Sequence, residues 1–372
     1  MNARTLRVGL VGPLPPPSGG MANQTQQLAR LLGQEGVQVE MVQVNAPYRP
    51  AWIERLRGVR AVFRLLPYLW RLWSAAGRVD LFHVMANSGW AWHLFAAPAL
   101  WIARLRRVPV VVNYRGGGAE EFFEESIFWV RPTMRLADRL IVPSGFLEEV
   151  FRRFDLAAEI VPNVIDLARF VPRPPAAAAG TPGPHVIVTR NLEPLYDIAT
   201  AIRALALVRK VRPAARMTVA GSGPERERLA GLAQSLGLSA QVTFTGRLDN
   251  ERIAGLYQQA DISLNPSLVD NMPISILESL ASGVPVVSTN VGGVRFVVED
   301  RKTALLVPAG DAEAMARAVL ELAADPQAAA ALARAGRESV QQYTWAQVWP
   351  RLGAVYRGIA QCARPATATG LK

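Results

Sequence analysis

Half of the 372 residues are hydrophobic and 19% are charged, which excludes a disordered chain and leaves enough core for about two domains. A single cysteine, Cys362, excludes an intrachain disulfide and fits a reducing compartment. The net charge of +11 favours anionic partners and says little about fold.

Arg7 to Val11 reads as a first parallel strand that meets Gly12-Pro13 at once, unlike the layout of a secretory signal. The loop GPLPPPSGG is stiffened by proline and ends in Gly19-Gly20 before a helix over Met21 to Leu32. Strand, glycine loop and helix make an anion-binding layout, because glycines let backbone amides approach a ligand. An ordinary strand–helix turn reads the same way, since no GxGxxG fingerprint is present. Val37 to Val44 is the second strand.

Tyr48 to Arg78 differs from the rest. Arg49, Arg55, Arg57, Arg60, Arg64, Arg71 and Arg78 alternate with Trp52, Phe63, Tyr68, Trp70 and Trp73, and Glu54 alone opposes them. A basic amphipathic segment with tryptophans suits the headgroup layer of an anionic membrane. A domain helix with a solvated basic face, or a calmodulin-target-like helix, fits the same pattern. No nucleic-acid module accompanies it, so nucleic acid is not the expected partner.

Asp80 to Met85 is a strand, followed by Asn87-Ser88-Gly89 and an apolar helix to Leu105. Trp90 to Ile102 is too short to span a membrane and contains a proline. His83 and His93 read as core residues. With His185 they lack ligand spacing, and no Asp-x-Asp is available, so no metal is expected. Val108 to Tyr114 is a buried strand leading to Arg115-Gly116-Gly117-Gly118. Arg115 can grip a phosphate or an acidic sugar in fork geometry, or pair with Glu120 or Glu121. Ala137 to Ser144 gives another strand, with a helix from about Phe146; Ile160 to Phe170 closes this half.

The five prolines of Val171 to Pro184 mark a linker, after which strand–helix alternation restarts. His185 to Arg190 is a strand, Ile198 to Val208 a helix, and Ala215 to Ala220 a strand entering the turn Gly221-Ser222-Gly223-Pro224-Glu225. Gln241 to Gly246 and then Arg247 make a strand and turn. Ala304 to Pro308 is a short strand, and helices follow over Ala312 to Ala324, Ala328 to Gln341 and Trp345 to Cys362.

Asn265 to Asn290 carries the densest chemistry. Asp270 and Glu278 are separated by seven residues, the second inside an apolar helical run with Ile274, Leu277 and Leu280. Pro273 suits the first turn of that helix, and Gly283-Val284-Pro285 ends it. The loop Asn271-Met272-Pro273 can present amides and the positive helix end to an anion or to sugar hydroxyls. Alone, the two acids also read as a cap and a solvated surface Glu.

This motif resembles the donor site of retaining family 4 glycosyltransferases (glycosyl transferases group 1), which have two acids separated by seven residues before a Gly-x-Pro-Val-Val turn. The resemblance runs from about Leu6 to about Ala360. It implies an α/β protein of two Rossmann-like doubly wound domains facing a central cleft, the GT-B architecture. An acceptor domain over 1–170, joined by a C-terminal helix over about 345–372, would connect through 171–184 to a nucleotide-sugar domain over 185–344.

The implied reaction moves a hexosyl group from a nucleotide-diphosphate sugar to a saccharide or lipid-linked saccharide acceptor, with retention and without a metal. No cofactor is implied beyond that donor. Apart from the resemblance, the single cysteine points to a cytoplasmic location, and the segment 48–78 leaves peripheral attachment to the membrane's inner face open beside its other readings.

By this likeness Asp270 faces the donor sugar and Glu278 bonds the ribose hydroxyls, as acceptor-only carboxylates can. Arg190, the Gly19 and Gly20 amides and Arg115 stabilise the departing diphosphate. Gly221, Gly223, Arg247, Asn271, Met272 and Pro273 border the nucleotide. Four departures stand out: Asp270 replaces the family's first Glu, Arg115 stands where the family has a His, Leu195-Tyr196-Asp197 stands where it has the diphosphate Lys, and Arg295-Phe296 replaces Pro-Glu. A nucleotide-sugar epimerase of the same architecture, or a non-catalytic glycan- or membrane-binding relative, also fits.

Overall fold

Runs of β-branched residues bounded by glycine or proline become the strands of two parallel sheets. The computed structural model describes residues 5–16, 19–48, 50, 52, 60–173 and 183–362. The expectations placed on Arg49, Glu54, Arg55, Arg57, most of the linker and the last ten residues lie outside that set. The chain divides into two compact units, Met1–Asn163 with Val348–Lys372, and Val164–Gln347.

The first unit contains β1 (Arg7–Gly12), α1 (Gly20–Gln34), β2 (Gln38–Gln43), α2 (Arg60–Ala75), β3 (Leu81–Ala86), α3 (Ala97–Arg106), β4 (Val110–Tyr114), α4 (Ala119–Met134), β5 (Arg139–Val142), α5 (Gly145–Arg153) and β6 (Glu159–Ile160). The strands pair in parallel in the order β2-β1-β3-β4-β5-β6. Period-two alternation sends Phe82, Val84, Val112 and Tyr114 into one core with Leu72, Leu100, Phe123 and Phe151 from α2 to α5. His83 and Asn113, on the alternate positions, take the other face.

Two elements differ from expectation. A π-helical turn over Trp92–Ala96 precedes α3, and the buried Trp92 indole donates to Thr133 Oγ1 at 3.0 Å. The segment after Gly118 forms α4, a helix the sequence reading did not assign.

The second unit contains β7 (His185–Val188), α6 (Ile198–Val211), β8 (Arg216–Ala220), α7 (Arg226–Ser235), β9 (Val242–Gly246), α8 (Asn250–Gln259), β10 (Ile262–Asn265), α9 (Ile274–Ala281), β11 (Val286–Thr289), β12 (Leu305–Val307), α10 (Ala312–Ala324) and α11 (Pro326–Ser339). Its parallel order is β12-β11-β10-β7-β8-β9. Two apolar layers cover it, one built on α6 and α10, the other on α8 and α9.

The boundary lies seven residues earlier than the expected Phe170. Ile165 and Phe170 enter the second core beside Tyr257 and Ile276, and Ile165 N donates to Tyr343 O at 3.0 Å. The final helix α12 (Trp345–Cys362) returns to the first unit from Val348 onward.

Candidate active site

In an open α/β sheet, strand order reverses at a switch point, and the crevice outside the carboxyl ends of the two strands there is where ligands bind. In the second unit that point separates β7 from β10. β7 delivers Thr189 and Arg190, and β10 delivers the loop ending in Asp270.

Arg190 Nη2 donates to Asp270 Oδ2 at 2.7 Å, and both side chains are about nine-tenths buried, at 11% and 9% exposure. Asp270 is further held by Ser267 Oγ at 3.1 Å and by the Asn271 amide at 3.0 Å. The Gly293 amide clasps the Asp270 carbonyl at 2.9 Å. Arg190 Nη1 reaches Ser275 Oγ at 3.4 Å, its guanidinium lies 4.0 Å from the Tyr196 ring centroid, and its Nε is buried with no acceptor among the described residues. The aromatic ring thus occupies the neighbourhood where the family's Lys was expected, and cation–π attraction helps hold the guanidinium there.

Glu278 sits one turn into α9. Tyr257 Oη, buried on α8, donates toward Glu278 Oε2 at 3.1 Å and lies 3.0 Å from Ser275 O and 2.7 Å from Thr189 Oγ1. Burial pushes the Glu278 carboxyl up to about 7, with the Tyr257 hydrogen bond and the charges of Arg190 and Arg169 pulling the other way. The carboxyl is therefore poised to change charge near neutrality. Burial raises the Tyr257 phenol well above its usual value, so it remains a donor.

The glycines expected beside the nucleotide have a packing reason. A Cβ on Gly221 would strike the Arg190 carbonyl, one on Gly223 the Leu192 carbonyl, and one on Gly293 the Asn271 carbonyl. These glycines let one loop backbone lie against another and so fix where Arg190 and Asp270 stand. Arg247 is exposed just beyond β9. One expectation needs correction: Pro273 caps α9 from outside the first turn. Met272 turns its side chain into the apolar core, and the expectation for this loop concerns its backbone amides. A cavity of about 580 Å³ lined by Arg173, Asp261, Pro285 and Ala329 opens at the amino ends of β7, β10 and β11, the wrong end for this site.

The remaining predicted residues belong to the first unit. Gly19 caps α1 in an extended conformation and Gly20 starts it, and a Cβ on either would meet nothing within 4 Å. Arg115 follows β4, with its Nη1 3.4 Å from Gln24 Oε1 on α1. It pairs with neither Glu120 nor Glu121; Glu120 pairs with Arg153 instead. His83 is a buried, satisfied core residue, as is His185.

Sequence reasoning missed Ser267, Tyr196 and Tyr257. Ser267 and Tyr196 lie beside singled-out residues, so proximity in the chain was a usable signal. Tyr257 meets Glu278 across 21 residues, which no spacing rule reveals.

Two parallel, doubly wound sheets with an acid–arginine constellation at one switch point define a GT-B glycosyltransferase fold. The chain belongs to that family: the profile "Glycosyltransferase Family 4" matches residues 18–169 and "Glycosyl transferases group 1" matches 176–339. It is 32% identical over 239 residues to the D-inositol 3-phosphate glycosyltransferase of Saccharomonospora viridis, a match spanning 59% of this chain and 56% of that protein. The chain thus spans little more than half the length of such relatives. It is 24% identical to the phosphatidyl-myo-inositol mannosyltransferase of Mycobacterium leprae over 95% of this chain and 97% of that one. Among solved structures, sucrose-phosphate synthase from Thermosynechococcus elongatus shares the fold with a TM-score of 0.76 at 23% identity, covering 96% of this chain and all of that one.

Proposed function

We propose that this protein is a retaining glycosyltransferase. It moves a hexosyl group from a nucleotide-diphosphate sugar to a saccharide or lipid-linked saccharide, without a metal. The observation that carries this reading is the pairing of Arg190 with Asp270 beside the Tyr257–Glu278 hydrogen bond, at the switch point of the second unit. Glu278, once ionised, accepts the two ribose hydroxyls. Asp270 accepts from the sugar hydroxyls. Arg190, just beyond the carboxyl end of β7, donates to the diphosphate through its guanidinium. Transfer breaks the bond between the anomeric carbon and the diphosphate oxygen and forms one to the acceptor oxygen, whose proton passes to the leaving diphosphate. The protein's share is positioning and charge stabilisation.

The acceptor side of this proposal rests on the first unit. The outer surface of α2, α3 and α4 exposes Leu66, Trp70, Trp101, Leu105, Phe128 and Trp129, with Arg71, Arg104, Arg106 and Arg107 exposed among them. Neither α2 nor α3 carries an acid. The α2 and α3 part of this surface matches an anionic lipid headgroup layer, with the acids of α4 confined to its first two turns, and gives a lipid-linked acceptor a place to be met. No helix of the described residues is long and apolar enough to cross a membrane.

A thermal-shift screen against UDP-, GDP- and ADP-sugars tests the reading, since a ligand bound only by the native state raises the melting temperature. One nucleotide sugar is expected to stabilise the wild type, and to fail with Glu278→Ala and Asp270→Asn. Equal shifts in all three proteins would remove the assignment.

A further inference from the structure

The first unit holds a cation among neutral groups. Arg115 Nε donates to Asn113 Oδ1 at 3.2 Å, and its Nη1 donates to Asn163 Oδ1 at 2.5 Å and Gln24 Oε1 at 3.4 Å. Every one of these acceptors is a side-chain amide, and no carboxylate lies within ion-pair distance of Arg115 among the described residues. Burial lowers the guanidinium to about 10, so it remains charged at neutral pH. Amide oxygens satisfy its donors without neutralising its charge, and a desolvated charge left in that condition is what an anion stabilises most. A Cβ on Gly117, two residues beyond Arg115, would meet nothing within 4 Å, and the first turn of α1, the helix that carries Gln24, contains no acid.

Behind Arg115 runs a buried chain of hydrogen bonds with one polarity. Because Asn113 Oδ1 accepts from Arg115, its Nδ2 faces His83 Nε2 at 3.1 Å and donates to it. His83 then carries its proton on Nδ1, which donates to Tyr356 Oη at 2.7 Å on α12. Burial and the Arg115 charge lower His83 to about 3, so it stays neutral and the polarity holds across the working pH range.

We propose that Arg115 receives an anionic group, a carboxylate or a phosphate, carried by a substrate sugar, with Asn113, His83 and Tyr356 as its positioning residues. This rests on the glycosyltransferase reading and selects acidic substrates within it.

The test uses the full chain as wild type and as Arg115→Gln, Arg115→Lys, Arg190→Gln and Tyr356→Phe variants. Each is titrated calorimetrically with inorganic phosphate, glucuronate and glucose, and separately with UDP-glucose and UDP-glucuronate. Phosphate or glucuronate is expected to bind the wild type and glucose not. Arg115→Gln weakens the anion by about tenfold or more, since a charge-assisted fork is lost. Arg115→Lys, which keeps the charge should the Gln variant not fold, weakens it less. Tyr356→Phe weakens it several-fold and raises KM for the acidic substrate more than it lowers kcat. An Arg115-dependent preference for UDP-glucuronate over UDP-glucose assigns the anion to the donor; its absence, with phosphate or glucuronate still bound, assigns it to the acceptor. Arg190→Gln loses nucleotide sugar yet keeps the anion. Anion binding that is absent in the wild type, or unchanged in both Arg115 variants, overturns the inference. Failure of every nucleotide sugar to bind the wild type is a different result and strikes the glycosyltransferase reading instead.

Discussion

Arg190 and Asp270 meet at 2.7 Å across 80 residues of chain, and neither exposes more than about a tenth of its side chain. Removing one partner of such a pair leaves the other charged and out of water. Asp270→Asn is therefore expected to cost about 3 kcal/mol, whereas replacing both residues by apolar ones of similar volume costs much less. Far-UV circular dichroism during urea unfolding reads this. Tryptophan fluorescence does not suit the purpose, because Trp345 is the only tryptophan of the second unit. Single and double variants of equal stability would show that the pair is not coupled.

Glu278 gives a pH signature. Its carboxyl is raised from an ordinary 4.5 to about 7 by burial, so between those values the folded state binds more proton than the unfolded one. Its contribution to stability is thus full below about pH 4.5 and is lost as pH rises through 7. In the proposed role ligand binding runs oppositely, because only a carboxylate can accept from both ribose hydroxyls. Nucleotide affinity is expected to rise between pH 6 and 8, on the order of a unit either side of that midpoint. Calorimetry on wild type and Glu278→Gln checks this: the variant should bind weakly with a flat profile. A wild-type affinity that falls over this range would contradict the assigned role.

Much of this architecture was legible because its signals are local. Val110–Tyr114 and Val286–Thr289 are β-branched runs ended by turn chemistry, and α10 and α12 fall where apolar periodicity puts them. What escaped depends on distance or on context. α4 mixes four acids, six aromatic or branched aliphatic side chains and Pro132, so no clean period announces it. The turn at Val164–Phe170 looks alike whichever core receives Ile165 and Phe170. The acids 270 and 278 were visible as a pair in sequence, yet each found its partner elsewhere, Asp270 in Arg190 and Glu278 in Tyr257.

Glycine substitutions separate packing from ligand approach. Gly221→Ala would drive a methyl into the Arg190 carbonyl, and Gly293→Ala into the Asn271 carbonyl; neither backbone can yield without moving a site residue. Each is expected to cost about 1–3 kcal/mol and to abolish nucleotide binding. Gly20→Ala meets nothing, so its stability should stay within about 0.5 kcal/mol of wild type. Melting temperatures measured with and without nucleotide sugar check all three. An unchanged melting temperature in Gly293→Ala would mean the loop is not held where the structure puts it.

The aromatic face of α2, α3 and α4 predicts a lipid-dependent behaviour. Trp70 is 70% exposed on α2 and Trp129 71% on α4, a large apolar cost in water unless something covers them. Arg106 stacks over Trp73 at 4.7 Å, which keeps its charge at the same level as the rings. Flotation with vesicles containing phosphatidylserine is expected to carry the protein upward, and neutral vesicles to leave it below. Reversing Arg71 and Arg104 to Glu should release it, since each basic residue near the surface contributes about 1 kcal/mol. Trp70→Ala with Trp129→Ala should release it even at low salt, where charge alone is strongest. Protein that stays at the bottom of the gradient with acidic vesicles at low salt would rule out this face as a membrane surface, while leaving the proposed nucleotide-sugar binding by Arg190 and Glu278 untouched.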